Sequence, residues 1–295
     1  MEKTARPIEF VAVGHLAADV RRGTRVLGGA AAYGSLAASR LGLTTAIVTT
    51  VGEDFDLLGP LSSIEIHCHH HGQSTTFENV YQGTTRRQRL RGLAGPIEQE
   101  HLAEIGHRVA GDAIVFFCPI AHESKAPFRR LAPRGLCGLA PQGFFRRWDD
   151  DGWIRSDAWD DAGADLSGVD ILCLSADDPP SLDAFLALAL EKVPVVAVTE
   201  GDLGVRIYAD GRAYKVPAFP RPVVDPTGAG DVFAASLLFA LRQGVSPLEA
   251  AQFASCAASF AVEREGIEGV PPDRKAVEDR LDIYRNHFTP EEIPS

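Results

Sequence analysis

The stretch "VVDPTGAGDVFAAS", residues 223–236, decides the fold of the last third of the chain. Two acids bracket a Gly-Ala-Gly turn, and apolar, helix-forming residues follow at once. Gly228 and Gly230 allow backbone N–H groups to face one point, because no Cβ stands in the way. The pattern predicts that "RPVV", residues 221–224, ends a strand and that Asp231 opens a helix. Ligands bind at such strand-to-helix turns in open α/β sheets.

The glycine turn, "DPTGAGD" at residues 225–231, has the properties of an anion site suited to phosphate. A helix N-terminus carries about half a positive elementary charge, and the N–H groups of its first turn point outward. Asp231 at the rim repels phosphate, so it is better suited to take a proton from a hydroxyl that attacks the phosphate. The alternative interpretation is a glycine-containing N-cap in which Asp231 caps its own helix.

Apolar runs and helical patterns alternate along most of the chain. Residues 8–14 and 44–52 are buried-strand candidates on either side of a helical pattern at 28–42, which makes a βαβ unit with parallel pairing. Further strand candidates lie at 112–118, 168–175 and 193–201, and further helices at 181–192, 231–244 and 246–266. The sequence therefore predicts a doubly wound α/β fold with a mostly parallel sheet and helices on both faces.

Residues 64–93 interrupt this rhythm, because apolar and polar residues roughly alternate there around a turn at Gly83. The alternation predicts a hairpin that stands off the main body. On a strand, His67, His69 and His71 would share one face, which is compatible with a metal site. The favoured interpretation is a strand that enters the hinge of the hairpin. The hairpin arginines, of which one is a candidate to reach substrate or phosphate, are Arg86, Arg87, Arg89 and Arg91.

The composition limits the classes of partner that the protein is expected to bind and the cellular compartment in which it is expected. The formal charge of −11 argues against a nucleic-acid or anionic-membrane surface, since both need a basic face. The five cysteines contain no CxxC motif, which is typical of reduced thiols. No apolar window is long enough to span a membrane, and the N-terminus lacks a signal-peptide pattern. We expect a cytoplasmic protein that binds neither nucleic acid nor membranes.

Two motifs carry a resemblance to a known family. "DPTGAGDVFAASL" resembles the second signature of the PfkB (ribokinase-like) carbohydrate kinases, and "GGAAAYGSLAASRLG", residues 28–42, resembles the first. The order of the elements agrees with the family over nearly the whole chain. The resemblance implies a single ribokinase-like domain over 1–295, with a small β lid formed by about 20–28 and 73–93. It also implies a kinase that uses ATP and Mg²⁺ to phosphorylate a hydroxyl of a small sugar, polyol or nucleoside.

The resemblance assigns roles to individual residues. Asp231 is implied as the catalytic base, and the amides of Gly228, Ala229 and Gly230 as the groups that hold the transferring phosphoryl group. Asp19 corresponds to the acid that grips substrate hydroxyls. The remaining implied positions are Gly28 and Gly29 close to the substrate, Thr199, Gly201, Gly204 and Thr227 near ATP, and Asp225 with Thr227 near the monovalent-cation (K⁺) site of some relatives.

The sequence also departs from the family pattern. "SADD", residues 175–178, stands where relatives carry Asn-x-x-Glu, so Asp178 keeps a shorter acid for Mg²⁺ contact through water while Ser175 replaces the amide. Tyr33 occupies a substrate-side position that holds asparagine in many sugar kinases, which argues against ribose-like recognition. The stretch 139–148 resembles inositol-kinase-like members, with Gln142 and Arg146 as polyol contacts.

Two other functions remain open at this point. One is a non-catalytic sensor derived from this kinase fold, which would bind a sugar or nucleotide without turnover. The other is a hydroxymethylpyrimidine or pyridoxal kinase of the same superfamily, which usually lacks the lid hairpin predicted here. A short lid offers little surface for an intersubunit clasp, so the sequence leaves the oligomeric state open between a monomer and a homodimer.

Overall fold

The computed structural model describes residues 6–82, 85–124, 131–284 and 289–294. Within them the strands are β1 (Ile8–Val13), β2 (Ala17–Arg21), β3 (Thr24–Gly28), β4 (Thr45–Val51), β5 (Glu65–His70), β6 (Gly72–Gln82), β7 (Thr85–Ala94), β8 (Val109–Phe117), β9 (Leu136–Leu139), β10 (Arg146–Trp148), β11 (Ile154–Ser156), β12 (Ile171–Ser175), β13 (Val195–Thr199), β14 (Val205–Ala209), β15 (Arg212–Val216) and β16 (Glu291–Ile293). The helices are α1 (Ala30–Arg40), α2 (Gln99–Gly106), α3 (Ala162–Asp165), α4 (Leu182–Lys192), α5 (Ala229–Arg242), α6 (Pro247–Ala261) and α7 (Arg274–Tyr284).

The main sheet has the order β16-β15-β14-β13-β12-β9-β8-β1-β4-β5. The strands from β13 to β5 all pair in parallel, and β14, β15 and β16 extend the sheet in antiparallel fashion. Along β1, Phe10 and Ala12 enter one core while Val11 and Val13 enter the other. Because alternate side chains of a strand point to opposite faces, helices cover both sides: α1, α5 and α6 on one, and α4 on the other. The predicted doubly wound, mostly parallel α/β fold is confirmed.

A second, small sheet has the order β3-β2-β6-β7 and is made of two hairpins. The hairpins occupy 17–28 and 72–94, close to the ranges expected for the lid. The predicted turn at Gly83 lies outside the described residues. A short hairpin of β10 and β11 lies beside the small sheet, where Arg89 pairs with Trp153.

Two local predictions are wrong. Residues 65–70 form β5, the edge strand of the main sheet beside β4, and so do not belong to the hairpin that stands off it. Their alternating pattern reflects a half-exposed edge strand, which has the same period as a hairpin strand. Residues 221–224 form a loop, not a strand.

The histidines of β5 have partners other than a metal ion. His67 Nε2 lies 2.6 Å from Glu65 Oε1, and His69 stacks on His101 with 3.7 Å between ring centroids. No group of three His, Cys, Asp or Glu side chains in the described residues is arranged to hold a metal ion, which decides against the metal hypothesis for this strand. None of the described helices is both long enough and apolar enough to cross a membrane.

Candidate active site

The predicted site residues come together at one edge of the main sheet. Parallel strands end on the same side, so the segments after β1, β9, β12 and β13 meet there. Asp19, Gln142 with Arg146, and Asp178 follow β1, β9 and β12, and Thr199 is the last residue of β13. Ser175 and Thr199 are direct neighbours in the β12–β13 register. The glycine turn enters α5 at the same edge, since Asp178 and Asp19 both act electrostatically on Asp231.

The glycine turn begins α5 two residues earlier than the sequence predicts. Gly228 is the N-cap at φ 81°, and the helix starts at Ala229, so that Asp231 is its third residue. No side chain within the described residues caps this helix, which excludes the interpretation of Asp231 as its own N-cap. The Ala229 amide donates to the Pro226 carbonyl at 3.3 Å. Gly230 is exposed in the first turn, where N–H groups lack acceptors in a preceding turn.

Gly228 is required for two separate reasons. Its left-handed φ of 81° suits glycine, and a Cβ at this position would lie 2.2 Å from the Tyr33 ring. Tyr33 is buried at 1% exposure, and burial raises its pKa well above the ordinary value of a tyrosine. Its Oη has no hydrogen-bond partner in the described part of the chain. Tyr33 therefore supports the turn from behind, which the sequence did not predict.

Asp231 is half-buried, and its pKa is raised to about 7. Burial is the main cause; the Arg146 guanidinium lowers the pKa, while the Asp178 and Asp19 carboxylates raise it. A carboxyl group with a pKa near neutrality is matched to proton transfer at physiological pH. This arrangement gives Asp231 the electrostatics of a general base.

Arg146 links the site to the small sheet. Its guanidinium donates to the Ile120 carbonyl at 3.1 Å and to Gln88 Oε1 of β7 at 3.0 Å. It also lies over the Phe77 ring of β6, at 5.0 Å from the ring centroid. A cation that acts on Asp231 is thus held by the strands that were expected to form the lid.

Asp178 is held by two hydrogen bonds at the end of β12. The Ser175 amide donates to Oδ2 at 2.8 Å, and Gln142 Nε2 donates to Oδ1 at 3.1 Å. Burial raises the pKa of Asp178 despite these bonds. Gln142 therefore positions a carboxylate in this structure, a role that differs from the polyol contact expected of it. Each carboxylate oxygen retains a further lone pair, which fits Mg²⁺ contact through water.

The glycine pair before α1 accommodates Asp19. Asp19 is 6% exposed, and a Cβ on Gly28 would lie 2.6 Å from its Oδ2. Gly29 has φ 95°, and a Cβ there would lie 2.6 Å from the His15 carbonyl oxygen. Both glycines thus allow α1 to start directly against the segment that carries the acid.

Asp225 does not have the surroundings of a monovalent-cation site. Its Oδ2 accepts hydrogen bonds from the Arg21 guanidinium and from the Gly266 amide at 2.9 Å, and its Oδ1 accepts one from the Thr227 amide at 3.0 Å. Burial raises the pKa of Asp225, but these hydrogen bonds outweigh it and hold the pKa below its ordinary value. A side-chain cation already balances the carboxylate, so these residues do not fit a bound K⁺.

The residues predicted to lie near ATP differ in what they contact in the structure. Thr199 Oγ1 donates to the Leu174 carbonyl at 3.3 Å. Gly201 lies at φ 60° in an exposed turn. Gly204 has φ 98°, and a Cβ there would lie 2.1 Å from the Val216 carbonyl oxygen. Gly204 is thus explained by strand packing, while Thr199 and Gly201 stay exposed enough to meet a ligand.

Sequence reasoning missed Glu123 and His15. The Glu123 carboxylate is buried and accepts hydrogen bonds from the backbone amides of His15 and Ile120, each at 2.9 Å. The His15 ring hydrogen-bonds with Thr75 Oγ1 and with the Gly95 carbonyl, each at 2.8 Å. These contacts tie the base of the small sheet to β1 and β8. The feature that identifies these two residues is their unusual burial for an acid and a histidine, and burial is not visible in the sequence.

The comparison with protein families agrees with this geometry. Residues 165–274, which include the glycine turn, match the model described as pfkB family carbohydrate kinase. Over residues 165–274 the chain matches the PfkB family of carbohydrate kinases. The match contains the second of the two signatures, and the predicted resemblance to the PfkB family is confirmed.

Curated relatives are matched over part of their length. Ribokinase of Bacillus subtilis (strain 168) is 41% identical over 102 residues, which are 35% of this chain and 34% of that protein. Inositol 3-kinase of Oryza sativa subsp. japonica is 37% identical over 100 residues, 30% of this chain and 25% of that protein. The matches thus span about a third of the ribokinase and a quarter of the inositol 3-kinase, and both relatives are kinases by name.

Solved structures match over nearly their whole length. A pyrophosphate-dependent kinase in the ribokinase family, complexed with a pyrophosphate analog and myo-inositol, has a TM-score of 0.75 at 22% identity and covers 91% of this chain and 99% of its own. A putative ribokinase II from E. coli in complex with ATP and Mg²⁺ has a TM-score of 0.68 at 18% identity, covering 94% and 99%. At this identity the likeness shows the ribokinase-like fold.

Proposed function

We propose that this PfkB protein is an ATP-dependent phosphotransferase that phosphorylates a hydroxyl of a small sugar, polyol or nucleoside. The observation that carries the proposal is Asp231 in the first turn of α5, beside the glycine turn and with a pKa of about 7. The named relatives that use such acceptors, and the ribokinase-like structure that holds ATP and Mg²⁺, support the same class.

The mechanism follows from the residues at the sheet edge. Asp19 binds acceptor hydroxyls and presents one of them to Asp231. As that oxygen forms a bond to the γ-phosphorus of ATP, its proton passes to the Asp231 carboxylate, and the bond to the leaving ADP oxygen breaks. The amides of Gly228 and Gly230 stabilise the charge on the phosphoryl oxygens, and the Ala229 amide joins them once it releases the Pro226 carbonyl. One such donor is typically worth about 10²–10³ in rate.

The small sheet acts as a lid in this proposal. Arg146 connects it to the site through Gln88 and Phe77, so closure brings the guanidinium to the reacting groups while water is excluded. ATP lies on the side of Thr199, Gly201, Gly204 and Thr227. Asp178 would hold Mg²⁺ through water, and the bound ion would supply positive charge to neutralise the donor phosphates.

The proposal also covers which hydroxyl compound accepts the phosphoryl group. Tyr33 is packed behind the glycine turn, so the polar acceptor contacts come from Asp19 and Arg146. A carboxylate and a guanidinium suit a compact polyol with several hydroxyls, which favours an inositol-like acceptor. The myo-inositol complex among the similar structures and the inositol 3-kinase relative point the same way. A cytoplasmic location and the oligomeric state stay predictions from the sequence.

Substrate-dependent ADP release tests the proposal. The panel contains inositols, hexoses, ketohexoses, ribose, nucleosides and 2-keto-3-deoxygluconate, with ATP and Mg²⁺. We expect turnover with one polyol or sugar class. If none of the acceptors on the panel causes ADP release while a sugar or nucleotide still binds tightly, the non-catalytic sensor is favoured instead. Ser175 and Asp178, which replace the usual Asn-x-x-Glu, are the best support for that alternative.

The pH dependence of turnover is a further prediction. Asp231 accepts a proton only when it is ionised, and its raised pKa of about 7 keeps part of it protonated at neutral pH. We therefore expect kcat/KM to rise as the pH increases through about 7 and to fall about tenfold per pH unit well below it. A profile measured between pH 5 and 9 with the acceptor found above checks this. A flat profile across this range would contradict the assignment of the base.

A further inference from the structure

An arginine of the small sheet forms an ion pair with the glycine turn. Arg21 is the last residue of β2, and its guanidinium pairs with Asp225, the first residue of the turn, 204 positions away in the sequence. The two side chains are 23% and 10% exposed, so solvent screens the pair weakly. The ion pair is thus a direct connection between the small sheet and the segment that leads into α5.

The Asp225 carboxylate has little capacity for a further cation. Both of its oxygens already accept hydrogen bonds, from Arg21 and the amides of Gly266 and Thr227. A metal ion bound at the same oxygens would lie within a few ångströms of the guanidinium, and like charges at that distance repel strongly in a part-buried site. Arg21 remains protonated at any ordinary pH, so it does not give up the position by titration.

The second guanidinium nitrogen of Arg21 points to a role toward the ligand as well. Its Nη2 is buried and has no hydrogen-bond partner in the described part of the chain. Arg21 also lies within electrostatic range of Asp19 and Tyr33. The guanidinium therefore acts electrostatically on the acid proposed to hold the acceptor and contacts the turn proposed to hold the phosphoryl group.

We infer that the guanidinium of Arg21 takes the place of a monovalent metal ion at Asp225, so that phosphoryl transfer by this chain needs neither K⁺ nor Na⁺. The inference concerns the site of the proposed kinase reaction and rests on that function for its catalytic consequence. Arg21 positions the turn: it fixes Asp225, and Asp225 in turn fixes the Thr227 amide just before Gly228. Because Arg21 belongs to the small sheet, the position of that sheet controls the charge at the turn.

The first test needs no substrate. The melting temperature of the whole chain is measured in KCl, NaCl and tetramethylammonium chloride at equal ionic strength. A ligand that binds the native state raises the melting temperature, so we expect the three salts to give the same value for the parent protein. A K⁺-specific rise in the parent would overturn the inference, whether or not an acceptor for the kinase has been found.

The second test compares variants in the same three salts. Arg21→Gln removes the charge, Arg21→Lys keeps it, and Arg22→Gln removes the neighbouring exposed charge as a matched control. Losing a charge-assisted hydrogen bond lowers an equilibrium or rate by about 10- to 100-fold, so we expect Arg21→Gln to lose kcat/KM by that factor in tetramethylammonium chloride. We expect K⁺ to restore part of the loss at the vacated carboxylate.

The controls distinguish this role from a merely structural one. Arg22→Gln is expected to behave as the parent, and Arg21→Lys to stay independent of K⁺ with reduced turnover. If Arg21→Gln does not fold, the Arg21→Lys variant and the salt response of the parent still test whether Arg21 replaces a metal ion at Asp225. Parent-like turnover of Arg21→Gln in tetramethylammonium chloride, or K⁺-dependent turnover of the parent, would refute the inference.

Discussion

Replacing Asp231 by asparagine is expected to abolish nearly all turnover while the fold is kept. General-base catalysis contributes about 10²–10⁴-fold, and asparagine has the same shape but accepts no proton from the attacking hydroxyl. The loss is expected in kcat, since Asp19 and Arg146 still bind the acceptor. Single-turnover ADP release with the acceptor found on the panel measures it.

Asp231→Asn is expected to stabilise the folded protein at alkaline pH although it abolishes turnover. The folded state raises the pKa of Asp231 to about 7, so ionising this group costs more in the folded than in the unfolded chain. That cost is absent at low pH, grows as the pH rises above about 4, and is complete above about 7. Asp231→Asn removes it and is expected to raise the free energy of unfolding at pH 8 by roughly 1–4 kcal/mol, with no gain at pH 4.

Asp183→Asn is the matched control for both measurements. Asp183 is an exposed acid in the first turn of α4, so the variant removes a carboxylate near another helix N-terminus away from the site. It should retain turnover, and its stability should fall slightly because helix N-termini favour negative charge. Near-normal turnover of Asp231→Asn would rule out Asp231 as the base.

Gly228→Ala is expected to have the second large effect, on both stability and turnover. A left-handed backbone costs a non-glycine residue about 1–2 kcal/mol, and the new Cβ would lie 2.2 Å from the Tyr33 ring. Overpacking of a buried ring adds about 1–3 kcal/mol. Urea denaturation should show the summed loss, and turnover should fall because the amides of the turn are displaced.

Two glycine controls separate the causes. Gly211 has φ 71° in the β14–β15 turn, and Gly230 lies in the first turn of α5; a Cβ at either would meet no heavy atom of the described chain within 4 Å. Gly211→Ala should show the backbone cost alone, with normal turnover. Gly230→Ala should leave the fold stable and reduce turnover by crowding the donor phosphate. If Gly228→Ala were no less stable than Gly211→Ala, the contact with Tyr33 would not constrain the turn.

The sequence by itself determined the features that depend on local backbone requirements. Glycines 228 and 230 beside Asp231 indicate an anion site because N–H groups must approach a ligand without a Cβ between them. The alternation of β-branched runs with helical periodicity likewise indicates a parallel sheet, since each strand must bury both faces. Both signals arise within a few neighbouring residues, where the backbone has few alternative conformations.

Only the tertiary structure decided which distant side chains meet. Residues 64–71 have the period of any half-exposed strand, so the pattern could not distinguish the β5 edge of the main sheet from a hairpin. The Tyr33 ring beneath Gly228 and the Arg21 guanidinium on Asp225 join segments about 200 residues apart. Such contacts leave no local trace, because packing and charge pairing depend on where the folded backbone carries each side chain. The charge balance of the glycine turn is therefore a property of the fold.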